Sequence, residues 1–261
     1  MFDPAALSVT RSQRAQAWSV HIFTAFGIVI ALLALRDVFN NDPGGAIIWL
    51  MVTIIIDGVD GPIARLLDVK ARVPRIDGYV LDLIIDYVTC VIVPAAFMYQ
   101  FDVVPHNTLG LLLLGAVGFT SAIWFSRCDM TSEDNWFRGQ PAAWNLIAPV
   151  LYLMNARPSV GAIVTGVMCL ASLTNLAFPH IVRSKFLRVI TLPVALVWFA
   201  AITYGATQLP ERPWALRPIL NAGSIYFLAL CILQTIRLYH RKHQAAESAT
   251  VDNHARTAAE L

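Results

Sequence analysis

Eight apolar runs divide this chain, over residues 17–36, 45–64, 78–100, 107–126, 141–156, 159–179, 187–206 and 216–236. Most approach the ~20 residues that a helix needs to cross a bilayer. Lipid offers the backbone no hydrogen bonds, so runs of this length must satisfy their own N–H and C=O groups as helices. The fifth run is short. Composition agrees: 57% of residues are hydrophobic and 14% charged, where a soluble domain carries about 25% charged residues. The expectation is an all-α integral membrane protein of about eight transmembrane helices, forming one domain over 17–239. Residues 1–16 are polar, without the pattern of a cleaved signal, and fit an amphipathic helix on the membrane surface. Residues 240–261 are polar and Ala-rich and read as a disordered tail.

Basic residues set the orientation. With the N-terminus in the cytoplasm, 15 Lys and Arg fall on the cytoplasmic side. The other side holds only Arg36, Arg157, Arg212 and Arg217. That bias predicts a multi-pass membrane protein with both termini inside. A net charge of +2 gives no reason to expect nucleic acid. Cys90, Cys128, Cys169 and Cys231 are scattered without metal or disulfide spacing and read as small apolar residues.

Four aspartates interrupt this apolar frame. Asp57 and Asp60 close the second run, and Asp82 and Asp86 open the third. Carboxylates at such depth are costly and mark function by default. The spacings i, i+3 and i, i+4 put each pair on one helix face. Two facing pairs make an oxygen-rich nest for one or two divalent cations, near the cytoplasmic ends of helices two and three. Asp57, Asp60, Gly61, Ala64, Arg65 and Asp68 form one helical stripe. Small residues there admit a bulky ligand, and Arg65 can hold a phosphate in two parallel hydrogen bonds. Pro62 cannot donate to the carbonyl of Gly58. Gly78, Asp82 and Asp86 recur every fourth residue, with Asp77 as the N-cap. Carboxylates, an arginine and close-approach glycines together suggest diphosphate chemistry.

These residues resemble the mark of the CDP-alcohol phosphotransferase family, D-x2-D-G-x2-A-R, a spacer, then G-x3-D-x3-D. Asp57, Asp60, Gly61, Ala64, Arg65, Gly78, Asp82 and Asp86 fill every fixed position. The spacer, Leu66 to Asp77, is longer than is usual in the family and lacks Ser and Thr. With Gly58, it resembles the bacterial phosphatidylcholine synthase branch, as do HIFTAFG (21–27) and WFRGQPAAWN (136–145).

The resemblance implies transfer of the phosphatidyl group of CDP-diacylglycerol to choline, with release of CMP. It implies a divalent metal, Mn2+ in preference to Mg2+ and two per site, held by Asp57, Asp60, Asp82 and Asp86, with Asp86 also the base. Gly61, Ala64, Arg65, Gly78 and Thr24 would bind CDP-diacylglycerol. Lys70, Arg72 or Arg75 would stand in for the spacer hydroxyl of other branches. A homodimer is expected by the same analogy. A quaternary ammonium favours aromatic faces near an anion. Tyr79, Tyr87, Trp136 and Trp144 are the choline candidates, beside Phe137, Glu133 and Asp134, although an interfacial aromatic belt has the same composition. His21 is read as a helix–helix bonding residue, with nucleotide contact the alternative; Asn145, Asn175 and Gln234 are similar. Asp68 is expected to pair with its basic neighbours, and His180, Arg183, Lys185 and Arg188 to anchor the cytoplasmic side.

Rival readings remain. The acceptor could be serine, glycerol phosphate or inositol phosphate. An intramembrane prenyltransferase lacks the Gly-x2-Ala-Arg block, and an ion-coupled transporter needs broken helices in repeated halves.

Overall fold

The computed structural model describes residues 9–132, 136–179 and 188–259. Helix α1 (Arg11–Phe39) opens with a capping box in which Thr10 and Gln13 satisfy each other's backbone N–H. Asp42 caps α2 (Pro43–Leu66), which starts on Pro and runs unbroken through Pro62. A short α3 (Val69–Arg72) lies in the spacer. The third apolar run is one continuous span, α4 (Gly78–Tyr87), a π-helical turn (Val88–Ile92) and α5 (Val93–Gln100). Then follow α6 (Thr108–Phe125), β1 (Trp136–Arg138), α7 (Trp144–Leu153), α8 (Pro158–Ser172), β2 (Ala177–Pro179), α9 (Arg188–Thr207) and α10 (Arg217–Ala259).

Each of the eight apolar runs contains helix. Among the described residues, six helical spans are long and apolar enough to cross a membrane, whereas α7 and α8 are shorter apolar helices. The run expected to stay helical to residue 179 stops at Ser172. The chain then turns into β2, which pairs antiparallel with β1, Phe137 opposite Phe178. Gly139, at φ +82°, places its Cα against the carbonyls that end α8, so closely that a Cβ would lie 2.6 Å from Ser172 O. The N-terminal polar segment enters α1 directly at Arg11, and α10 continues past His240 to Ala259.

The surface is that of a protein solvated by lipid. Ile22, Leu112, Phe119, Ile163, Leu170 and Leu196 all face outward, while Thr53, Thr120, Ser121, Thr165 and Ser172 are buried. Between apolar surfaces in lipid, close packing and hydrogen bonds replace the hydrophobic drive. Buried hydroxyls answer to their own helices: Thr120 donates to Ala116 O at 2.8 Å and Thr165 to Gly161 O at 2.7 Å. Between helices, Trp144 Nε1 donates to Ser121 Oγ at 3.0 Å. Its ring is fully buried in the main core, to which Phe97, Leu50 and Val91 also belong.

Trp144→Ala should therefore lower stability by roughly 3–5 kcal/mol, and Ser121→Ala by only about 1 kcal/mol. Thermal unfolding of the two variants in detergent checks the order; equal losses would contradict the packing.

Candidate active site

The motif residues meet where the C-terminal half of α2 lies beside the start of α4, with α1 as the third wall. Asp77 caps α4, accepting from the backbone N–H of Tyr79 at 3.0 Å and of Val80 at 3.3 Å. The spacer is held by a small apolar cluster of Val69 and Val73 against Ala17 and Val20 of α1. Together these contacts set where α4 begins, and hence where its aspartates point.

One carboxylate oxygen from each of Asp57, Asp82 and Asp86 lies within 4.8 Å of the others. Three ionised groups at that separation repel by roughly 3 kcal/mol or more per pair at an effective dielectric of about 20. A hard divalent cation relieves that repulsion, and three carboxylates are the donor set that Mg2+ and Mn2+ accept. The residues therefore fit the expected metal. Asp60 lies outside this triad. It is buried in the same cleft, where Thr24 and the backbone of Gly61 supply hydrogen bonds and Arg65 is near.

The cleft is lined by Asp57, Asp60, Asp82 and Asp86 together with Thr24, Gly27, Thr53 and Thr89. Thr53 sits one turn before Asp57, and Thr89 three residues after Asp86. Extending each aspartate stripe by one turn would have found both in the sequence. The π-helical turn had no such signal. It begins two residues after Asp86, a common position for π-turns at functional sites. Cys90 on that turn accepts from Asn145 Nδ2 of α7 at 3.2 Å, so Asn145 is the helix-bonding residue expected.

Two glycines let the walls close. A Cβ on Gly27 would lie 2.9 Å from Ile85, and one on Gly78 would lie 3.1 Å from the His21 ring. His21 is buried, but among the described residues its Nε2 has no hydrogen-bond partner, unlike the helix–helix bond expected of it. Arg65 is exposed and folds back over Gly61, its Nη1 3.4 Å from where a Cβ would stand. Ala64 packs on the spacer cluster. Asp68 is exposed at φ 46°. Among the described residues it forms no ion pair, contrary to the sequence reading, and its left-handed backbone marks the turn from α2 into α3.

The four aromatic candidates separate. Tyr79, 58% exposed, stands near Asp82 and Cys128. Tyr87 donates to Gly118 O at 2.9 Å and meets Phe125 edge-on. Trp144 is committed to the core, and Trp136 is buried on β1. Phe137 packs edge-on against Trp124. Glu133, Asp134, His180, Arg183 and Lys185 lie outside the described residues.

No family model matches the chain. Curated relatives do. A phosphatidylcholine synthase of Pseudomonas aeruginosa is 36% identical over 234 residues, 90% of this chain and 98% of the relative. One from Bradyrhizobium diazoefficiens is 40% identical, covering 74% of this chain and 72% of its own. One from Borreliella burgdorferi is 33% identical, covering 86% and 95%. The chain belongs to the phosphatidylcholine synthase family.

In this member of the phosphatidylcholine synthase family, a charged clasp follows α6. Asp129 accepts from Arg127 Nε at 2.9 Å and Arg138 Nη1 at 3.0 Å. Arg127 also donates to Thr174 O and to Asn175 Oδ1. The end of α6, β1 and the end of α8 are thus tied together. Hydrogen bonding to Arg127 and the charges of both arginines pull the Asp129 carboxyl down from 3.8 to about 2. A depressed carboxyl stabilises the fold above its unfolded value and loses that contribution as pH falls through its folded value. The clasp should therefore hold at neutral pH and open between about pH 4 and pH 2, read as lower protection from hydrogen exchange, relative to the intrinsic rate at each pH, over residues 127–132 and 136–138. Asp129→Asn should show fast exchange already at neutral pH.

Proposed function

We propose that the chain transfers the phosphatidyl group of CDP-diacylglycerol to choline, releasing CMP. The observation that carries this reading is the convergence of Asp57, Asp82 and Asp86 on one cleft, in a chain similar over most of its length to phosphatidylcholine synthases. Asp57, Asp60, Asp82 and Asp86 are the residues that would hold divalent metal, Mn2+ or Mg2+, two per site. When bound, the metal neutralises the diphosphate and polarises the phosphorus under attack.

The chain's own groups do the rest. Asp86 takes the proton of the choline hydroxyl. The choline oxygen then forms a bond to the phosphatidyl phosphorus, and the bond from that phosphorus to the CMP oxygen breaks. Arg65 is exposed at the cleft edge, where its guanidinium can swing from Gly61 onto the phosphates. Gly61, Ala64, Gly78 and Thr24 shape the CDP-diacylglycerol site, and the close contact of Gly78 with His21 keeps α1 near. Of the aromatic candidates Tyr79 is favoured for choline, because its ring is exposed. Tyr87, Trp136 and Trp144 are occupied elsewhere.

In this reading the chain spans a bacterial inner membrane eight times as a homodimer, with α7 and α8 as short spans, both termini cytoplasmic and the cleft facing the cytoplasm. The distribution of Lys and Arg supports that orientation.

Purified protein with CDP-diacylglycerol and Mn2+ should form phosphatidylcholine from choline, and no lipid from serine, glycerol phosphate or inositol phosphate. Mass spectrometry of the lipid product decides; a different lipid would overturn the acceptor. Asp82→Ala and Asp86→Ala should abolish turnover in protein that still inserts. Arg65→Lys should lose roughly a hundredfold, because a point charge does not replace the guanidinium fork. Wild-type rates in any of the three would remove that residue's assigned role.

A further inference from the structure

At the helix ends opposite the aspartate cleft, a recess of about 250 Å³ opens between the end of α5, the α7–α8 turn and the α9–α10 connection. Arg212 lines it. Its guanidinium lies 4.2 Å over the Tyr152 ring, and Nη1 donates to Asn155 Oδ1. Both partners are neutral. They orient the side chain but leave its charge uncompensated, and among the described residues no carboxylate lies within 4.0 Å of it. Arg36, at the same helix ends, is instead neutralised by Asp37 at 2.7 Å. A guanidinium held in place with most of its five donors unspent is a preformed receptor for an oxyanion. The first turn of α8, which starts at Pro158 on the recess wall, adds its N-terminal dipole and contains no acidic residue.

Two further observations say which oxyanion. Asp102 lines the same recess, with its nearest ionic neighbour His106 at 3.6 Å. One fixed cation and one carboxylate facing a shared space match a dipolar ligand better than a net anion. From Pro158, the exposed side chains of Val160, Ile163, Val167 and Leu170 run down one face of α8. That apolar track suits an acyl chain, which inorganic phosphate does not have. We propose that the recess binds the headgroup of a zwitterionic phospholipid, with the phosphodiester on Arg212 and the ammonium toward Asp102. The site is separate from the aspartate cleft, so its fate does not depend on the reaction assigned there.

The test is native mass spectrometry of the full chain in detergent, with phosphatidylethanolamine as a zwitterionic probe that is neither substrate nor product of the proposed reaction. Wild-type protein should retain one such lipid per chain. Arg212→Gln should weaken retention about tenfold or more, and millimolar inorganic phosphate should not displace the lipid. Asp102→Asn, which keeps a residue tolerant of its φ of 53°, should shift preference toward phosphatidylglycerol. Both variants should keep wild-type turnover of CDP-diacylglycerol, which serves as the control for folding. Equal phosphatidylethanolamine retention by wild type and Arg212→Gln would overturn the proposal. So would displacement of the lipid by free phosphate, or an unchanged lipid preference in Asp102→Asn.

Discussion

The structure depends on one costly arrangement: carboxylates from two helices held close together in a cleft between apolar helices, Asp57 exposed and Asp82 and Asp86 half-buried. Asp57 comes from α2, and Asp82 and Asp86 from α4, and their oxygens gather within 4.8 Å. Nothing in the helices' own propensities favours this. The cost must be met by what surrounds the group, and the packing around it is arranged to hold the two helix segments together. The Asp77 cap and the spacer cluster fix where α4 begins. On α1, Thr24 hydrogen-bonds Asp60, and Gly27 lets Ile85 approach.

The same constraint explains the contrast between inside and outside. Lipid-facing positions carry Leu, Ile, Val and Phe, which gain nothing by burial against other apolar surfaces. Interior positions carry small and hydroxylated residues, so backbones come close and polar atoms find partners. The π-helical turn after Asp86 belongs to this design. It adds a residue to the helix where the cleft ends, leaving Thr89 at the cleft and Cys90 toward Asn145. The charged clasp of Arg127, Asp129 and Arg138 ties the end of α6 to β1 and to the end of α8.

Much of this was legible in the residues. Apolar runs of nearly bilayer length mark where the apolar helices lie, six of them, among the described residues, long enough to cross a membrane, and the i, i+3 and i, i+4 spacing of aspartates marks the faces that meet. Asp77 reads as a cap because a carboxylate two residues before a hydrophobic run has few other roles. What was hidden depends on tertiary contact. The β1–β2 pairing links segments separated by two helices, and neither strand is long enough to carry a period. Trp144 and Tyr87 have the chemistry of a choline cage, yet a tryptophan N–H and a tyrosine hydroxyl also serve to join helices, and here each has found such a partner. Asp68 extends the catalytic stripe in sequence, but the stripe ends with α2 at Leu66. Arg212 reads only as one of a few basic residues on the sparse side. Its setting over Tyr152 depends on a turn between other helices.

The central claim is that the aspartates of α2 and α4 together form a metal centre. Anomalous X-ray diffraction from crystals grown with Mn2+ tests it most directly. The account predicts a manganese peak roughly 2.1 Å from carboxylate oxygens of Asp57, Asp82 and Asp86, lost in Asp82→Asn. A peak on other residues, or full Mn2+-dependent turnover in crystals whose cleft binds no manganese, would contradict it.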